Sequence, residues 1–184
     1  MTEQQRYDVV HNDPAYEIRR YHPCVVAEFM TTGSFETAGN AAFRPLFNYI
    51  SGANQSTGKI AMTSPVIQES AAPITSTATR FDSINDDSHT VGFVMPGTYT
   101  RIEDLPAPND PAVTLRAIPE QLVIVDKFSG RWSESIYQQR LKKLETVARA
   151  QNYAIAGQAR FARFNPPWTP WFMRRNEIQL PIST

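Results

Sequence analysis

YEIRRYHPCVVAEFMTTGSF (Tyr16–Phe35) and VTLRAIPEQLVIVDKFSGRW (Val113–Trp132) superpose at one constant offset. Ile18 falls on Leu115, Arg19 on Arg116, Val26 on Val123, Gly33 on Gly130 and Phe35 on Trp132. Each stretch is extended and leads into a segment with helical periodicity. The chain therefore reads as two halves on one plan, hairpin, helix and further strand, over about 14–96 and 112–184.

The second helix is the plainer one. Ser133 can cap it, and Ile136, Tyr137, Leu141, Leu144, Val147 and Ala148 recur at spacings of three and four, with Arg140, Lys142, Lys143 and Glu145 mostly on the other face. The first, from about Ala38 to Ile50, sets Ala42, Leu46, Phe47 and Ile50 on one face. Pro45 inside it should kink the helix or mark a first turn. Further strands are signalled at His89–Met95, Ala159–Phe164 and Glu177–Ile182. Glu69–His89, rich in Ser, Thr, Ala and Asp, and Thr100–Pro111, with three prolines, read as loops, the second joining the halves. The expected fold is α+β, two pseudo-symmetric halves forming an antiparallel sheet with two main helices packed on it.

Composition bounds the function. At about 150 residues per domain, 184 residues make a single domain over 1–184 the default. With 41 % hydrophobic and 20 % charged residues the chain is of the soluble globular class. Eighteen basic residues against 18 acidic ones leave no positive field to bind nucleic acid. No apolar run reaches the roughly 20 residues that cross a bilayer, and MTEQQRYDVV lacks a secretory pattern, so a cytoplasmic location is expected. One cysteine, Cys24, excludes an internal disulfide, a CxxC pair and the CxxCH attachment of covalent haem.

Catalytic patterns are sparse. There is no GxSxG elbow. His22 and Cys24 would share a strand face about 7 Å apart, a conceivable dyad, although Pro23 puts them at an edge or turn and a small buried thiol is the plainer account. His11, His22 and His89 are too scattered for zinc, and Asp82, Asp86 and Asp87 lack the spacing of a calcium loop and read as solvated charge. Glu177, just after Arg174, Arg175 and Asn176, reads as an ion pair at a sheet edge or an acid facing a cavity.

The strongest anomaly is aromatic. Phe161, Phe164, Trp168, Trp171, Phe172 and Met173 share a short stretch with Pro166, Pro167 and Pro170, flanked by Arg160, Arg163, Arg174 and Arg175. Flat rings on a proline-stiffened loop with guanidinium groups at the margin suit a flat apolar ligand bearing carboxylates. The other reading is a loop closing one end of the core.

KIAMTSPV (Lys59–Val66), with YEIRRY at Tyr16–Tyr21, FVMP at Phe93–Pro96, FSG at Phe128–Gly130 and the closing RRNEIQLPI, resembles the SOUL haem-binding family over essentially the whole chain. The resemblance implies a distorted antiparallel barrel with two long helices. It also implies non-covalent binding of haem or another porphyrin in a shallow apolar cleft beside one helix and nearby loops, as a carrier, buffer or sensor and not an enzyme. The same plan resembles gyrase-inhibitor-like multidrug-binding domains, some similar to hydrolases, which gives the alternative: a small-molecule hydrolase or multidrug-binding domain with Glu177 as its acid. Some members carry a histidine as an axial-ligand candidate where this chain has Arg20; His22 lies two residues on and can substitute. Met62, Met95, Met173 and Tyr21 are further candidate ligands, while Trp168, Trp171 and Phe172 would cover the ring and Arg174 and Arg175 its propionates. Burying about 400 Å² of porphyrin yields about 10 kcal/mol at roughly 25 cal/mol per Å², against about 4–15 kcal/mol for association. Face contact plus propionate clamping can therefore suffice, which implies tolerance of the central metal.

Overall fold

The computed structural model describes residues 2–70, 88–166 and 168–184. Its strands are β1 (Glu3–Gln4), β2 (Tyr7–Asp13), β3 (Tyr16–Tyr21), β4 (Cys24–Thr32), β5 (Thr63–Ser64), β6 (Val66–Ser70), β7 (Ser88–Val94), β8 (Val113–Ile118), β9 (Gln121–Phe128), β10 (Ala154–Ile155), β11 (Arg160–Arg163) and β12 (Asn176–Ser183). The helices are α1 (Phe35–Ile50) and α2 (Glu134–Ala150).

Neither aligned stretch closes into the expected hairpin. β3 pairs with β9, from Tyr21 against Gln121 to Glu17 against Val125, and β4 pairs with β8, from Cys24 against Ile118 to Phe29 against Val113. The links His22-Pro23 and Pro119-Glu120 explain the exchange. A two-residue hairpin in a primed turn needs positive φ at its first central position, and in type I′ at both. Pro119 forbids either, and His22-Pro23 allows only a type II′ turn with positive φ at His22, which a residue with a side chain disfavours. The arms of each half diverge at the proline and pair with those of the other half.

The result is one continuous antiparallel path, β2-β3-β9-β12-β11-β6-β7-β4-β8, strongly curled into a half-barrel, with β10 added on β12. A pseudo-two-fold axis passes between β11 and β6: β3-β9-β12-β11 on one side repeats as β8-β4-β7-β6 on the other. β1 and β5 form a separate parallel pair.

Both helices lie on one face of this sheet. α1 buries Ala38, Ala42, Leu46 and Tyr49 against Val25, Ala27, Val91 and Phe93, and α2 buries Tyr137, Leu144 and Ala148 against Ile18, Ile124, Ile178 and Leu180. α1 starts at Phe35 on a Ser34 cap, before the expected Ala38, and runs through Pro45, which is neither a first turn nor an end. Phe47 leaves the core-facing stripe and is half exposed. Ser133 caps α2 as expected, its hydroxyl accepting from the Ile136 N–H. No helix among the described residues is long and apolar enough to cross a membrane.

The offset matches acquire physical reasons here. Val26 and Val123 both face away from the helices, Ile18 and Leu115 both face towards them, and Arg19 and Arg116 each enter an ion cluster on the face without helices. Gly33 (φ +126°) and Gly130 (φ +136°) make the same strand-to-helix turn in a backbone region that L side chains avoid. The fifth match does not survive. Ser34 caps α1 directly after Gly33, whereas Arg131 and Trp132 intervene between Gly130 and the Ser133 cap, so Phe35 enters the core and Trp132 stays outside the helix.

A Cβ at Gly130 would meet nothing within 4 Å, so only backbone strain opposes a side chain there. Gly130→Ala should lower unfolding free energy by about 1–3 kcal/mol in urea titration; an unchanged midpoint would show that the turn tolerates ordinary residues.

Candidate functional site

The two extra residues, Arg131 and Trp132, face the long connection from β11 to β12. Asn176 pairs with Phe128 at the sheet end, and its amide Nδ2 donates to the Gly130 carbonyl at 3.0 Å, which pins the two segments together. Between them opens a cavity of about 440 Å³ lined by Arg131, Trp132, Trp168, Thr169, Pro170, Trp171 and Arg174. All 3 tryptophans of the chain line it. Trp168 is 83 % exposed, Trp171 51 % and Phe172 61 %. The connection therefore does not plug the core; of its aromatic neighbours only Phe161 is fully buried, and Phe164 is half-buried beneath the Arg175 guanidinium at 3.9 Å. Pro167 lies outside the described residues.

Guanidinium groups frame the indoles. Arg174 donates from Nε to the Thr169 carbonyl at 2.8 Å, holding the loop, and lies 5.4 Å from the Trp132 ring. Arg131 sits 5.8 Å from the Trp171 ring. Arg163 stacks on Trp132 at 4.1 Å and donates to Gln68 Oε1 at 2.8 Å, while its Nε has no hydrogen-bond partner among the described residues. Burial pushes Arg163 down to about 10, so it stays cationic at neutral pH. It packs so closely on α1 that a Cβ at Gly39 would fall 2.4 Å from its guanidinium, which accounts for a glycine inside that helix.

Arg175 is committed elsewhere. Its Nη2 and Nε donate to Glu177 Oε1 at 2.7 and 3.0 Å. Glu177 is no edge residue: β12 is paired on both sides, the side chain is fully buried, and its other oxygen accepts from Arg19 Nη1 and Gln179 Nε2, each at 3.0 Å. Glu17 bridges Arg19 and Lys127, Tyr21 accepts from Arg19, and these cations hold Glu17 below the usual carboxylate range despite its partial burial. The expected acid is thus the hub of an internal ion cluster.

The remaining candidates lie apart from the tryptophans. His22 lines a different cavity, of about 460 Å³, together with Cys24, Pro23, Thr63, Met95 and residues of the N-terminal segment. Its Nε2 is 2.9 Å from Asp8 Oδ2. Cys24 Sγ accepts from Gln5 Nε2 at 3.2 Å, so each member of the supposed dyad is engaged by another residue. Burial pushes the Cys24 thiol up to about 11. Arg20 is exposed beside Glu120 at 3.8 Å, and Met62 is 43 % exposed; neither lines the two cavities. Tyr21 is buried on β3 and Met95 just beyond the end of β7. No cluster of three or more His, Cys, Asp or Glu able to hold a metal occurs among the described residues, and Asp82, Asp86 and Asp87 lie outside them.

The profile described as SOUL heme-binding protein matches residues 2–181. The chain belongs to the SOUL heme-binding protein family. No curated protein gives a significant match. Among solved structures, the fold of this SOUL chain is similar to the EcmrR C-terminal domain, with TM-score 0.65, 12 % identity, and 97 % of this chain and 98 % of that one covered. It is also similar to a hydrolase encoded by lin2189 from Listeria innocua, with TM-score 0.65, 10 % identity, and 95 % and 94 % covered. An uncharacterized conserved protein from Listeria innocua follows at TM-score 0.59, 12 % identity, and 92 % of each chain. At these identities the likeness is one of fold.

Sequence reasoning missed Arg131 and Trp132 as cavity residues. The distance from glycine to serine cap, longer in the second half, was the available signal. It also missed that Phe43 and Phe47, one helical turn apart on α1, stack at 5.6 Å and 12° while 38 % and 44 % exposed.

A thiol raised from 9 to about 11 is about a hundredfold less ionised at neutral to mildly alkaline pH. Iodoacetamide should therefore label Cys24 about a hundredfold more slowly in the folded chain than in urea. The same shift makes stability fall as pH rises from about 9 to about 11, because the unfolded thiol loses its proton first. Equal labelling rates would contradict the raised pKa of this thiol.

Proposed function

We propose that this SOUL-family protein binds haem or a related tetrapyrrole non-covalently in the tryptophan cavity, and serves as its carrier, buffer or sensor. The observation that carries this is the convergence of Trp132, Trp168 and Trp171 with Arg131 and Arg174 around one open space of about 440 Å³. Such a volume lies in the range of small-molecule sites. Trp168 and Trp171, left at least half in water, offer flat contact area, and a macrocycle laid on them would remove that area from water at roughly 25 cal/mol per Å². Arg131 and Arg174 at the margin match the propionates.

Arginine, threonine, proline and tryptophan are not ligands that iron takes readily, so face contact and charge carry the affinity in this reading. His22, at a separate cavity and held by Asp8, is not part of it. The hydrolase or multidrug alternative is weakened by the state of its expected acid: Glu177 already balances Arg19 and Arg175, and a lipophilic cation would have to displace one of them.

A second reading rests on α1. The stacked, half-exposed Phe43 and Phe47, with Phe43 edge-on to Phe93, form an apolar ledge beside one helix, as the SOUL resemblance implies for the cleft.

Titration of the purified protein with hemin should shift the Soret band and saturate near one equivalent. Trp171→Ala or Arg174→Gln should weaken binding about tenfold, and metal-free protoporphyrin should bind within about tenfold of hemin. If Phe43→Ser with Phe47→Ser abolishes binding while the two loop variants leave it intact, the ligand sits on α1. A linear, unsaturable rise with hemin would refute both readings.

A further inference from the structure

Phe172 and Met173 take no part in the tryptophan cavity, yet they are 61 % and 65 % exposed. They belong, with Trp171, to a 3-10 turn, Trp171–Met173, in which every side chain is exposed. A one-turn helix normally turns one side to the core; this one has no apolar side buried. The turn is nevertheless well held. The Met173 N–H donates to the Pro170 carbonyl at 2.9 Å, the Thr169 N–H to the Pro166 carbonyl at 3.0 Å, and Arg174 braces the Thr169 carbonyl. The Trp171 and Phe172 rings sit edge to face at 5.7 Å. Large apolar groups are thus displayed on a braced backbone, and little ordering is needed for them to dock.

The surrounding charge names the surface they fit. Of the five arginines between residues 146 and 176, Arg160 and Arg163 are buried, Arg175 is held by Glu177 and Arg149 lies beside Glu145, which leaves Arg174 at the turn. Arg131, exposed, and Arg174 stand beside the turn. Tryptophan and its neighbours at the level of lipid headgroups, with guanidinium groups on phosphate, are the chemistry of an interfacial contact. Anionic lipid strengthens it over a range set by salt.

We infer that the turn Trp171–Met173, with Trp168 and flanked by Arg131 and Arg174, is a bilayer-contact tip that inserts its apolar side chains among anionic phospholipid headgroups. The tip shares Trp168, Trp171, Arg131 and Arg174 with the tryptophan cavity, so a chain resting on a membrane would turn the mouth of that cavity to the lipid surface. The contact itself does not depend on any ligand being bound.

The test is co-sedimentation of the porphyrin-free protein with vesicles of phosphatidylcholine alone and of phosphatidylcholine mixed equally with phosphatidylglycerol. The protein should partition to the mixed vesicles at least about tenfold more strongly, with a blue shift of tryptophan emission. High salt should weaken the partition. The double variant Phe172→Ser with Met173→Ser should lose about tenfold in partition while keeping its far-ultraviolet circular dichroism. Met30→Ser, which removes a methionine equally exposed at 65 % on β4, should change nothing. Failure of the unaltered protein to bind mixed vesicles overturns the inference. Partition undiminished in the folded double variant overturns it as well. Since porphyrin is absent throughout, neither result bears on tetrapyrrole binding.

Discussion

Two proline dipeptides, His22-Pro23 and Pro119-Glu120, stand where the chain exchanges strands between its halves, and the architecture depends on that exchange. With β3 on β9 and β4 on β8, neither half has a complete sheet of its own. The pairing of β11 with β6 joins the two four-strand units into one path. The curl leaves one face to the helices and the other without them.

The two faces are stabilised differently. Under the helices the core is aliphatic and aromatic, and Phe35 ties its two parts together by stacking on Tyr137 at 5.1 Å and approaching Phe161 at 5.5 Å. On the other face, the matched arginines anchor two ion clusters: Arg19 with Glu177 and Glu17, and Arg116 bidentate on Glu28 with Glu69 nearby. Removing one partner of the buried set would leave an uncompensated charge, typically about 3–5 kcal/mol. Tyr21 shows the depth of the site, since burial pushes its hydroxyl above the ordinary range. In this chain Glu177 on that face is already balanced by Arg19 and Arg175.

Local signals in the sequence carried the helices and most strands, because capping serines and apolar periodicity are properties of neighbouring residues. The shared plan was legible for a similar reason: Gly33 and Gly130 answer to the same backbone requirement, and Arg19 and Arg116 to the same face. Partner choice was not legible. Alternation in YEIRRY says that one face is buried; Pro23 argues against β4 as its neighbour, and nothing local names β9. The pairing of Glu177 with arginine was legible from its neighbours, but its depth was not, because an alternating strand looks alike at an edge or in the middle of a sheet. The aromatic connection stood out in composition, whereas its exposure depends on where β11 and β12 end. Arg131 and Trp132 were hidden because the constant offset sets Trp132 on Phe35 across a two-residue insertion.

That insertion is where the second half departs from the first, and it supplies one wall of the tryptophan cavity. The opposite wall is the connection leading into β12. A site built at a break in pseudo-symmetry has no counterpart in the other half, so one ligand per chain is expected there. Hydrogen–deuterium exchange with and without saturating metal-free protoporphyrin tests this most directly. Ligand-dependent protection confined to residues 130–133 and 168–175 is the predicted result. Protection centred on α1 around Phe43 and Phe47, with none in those two segments, would contradict it.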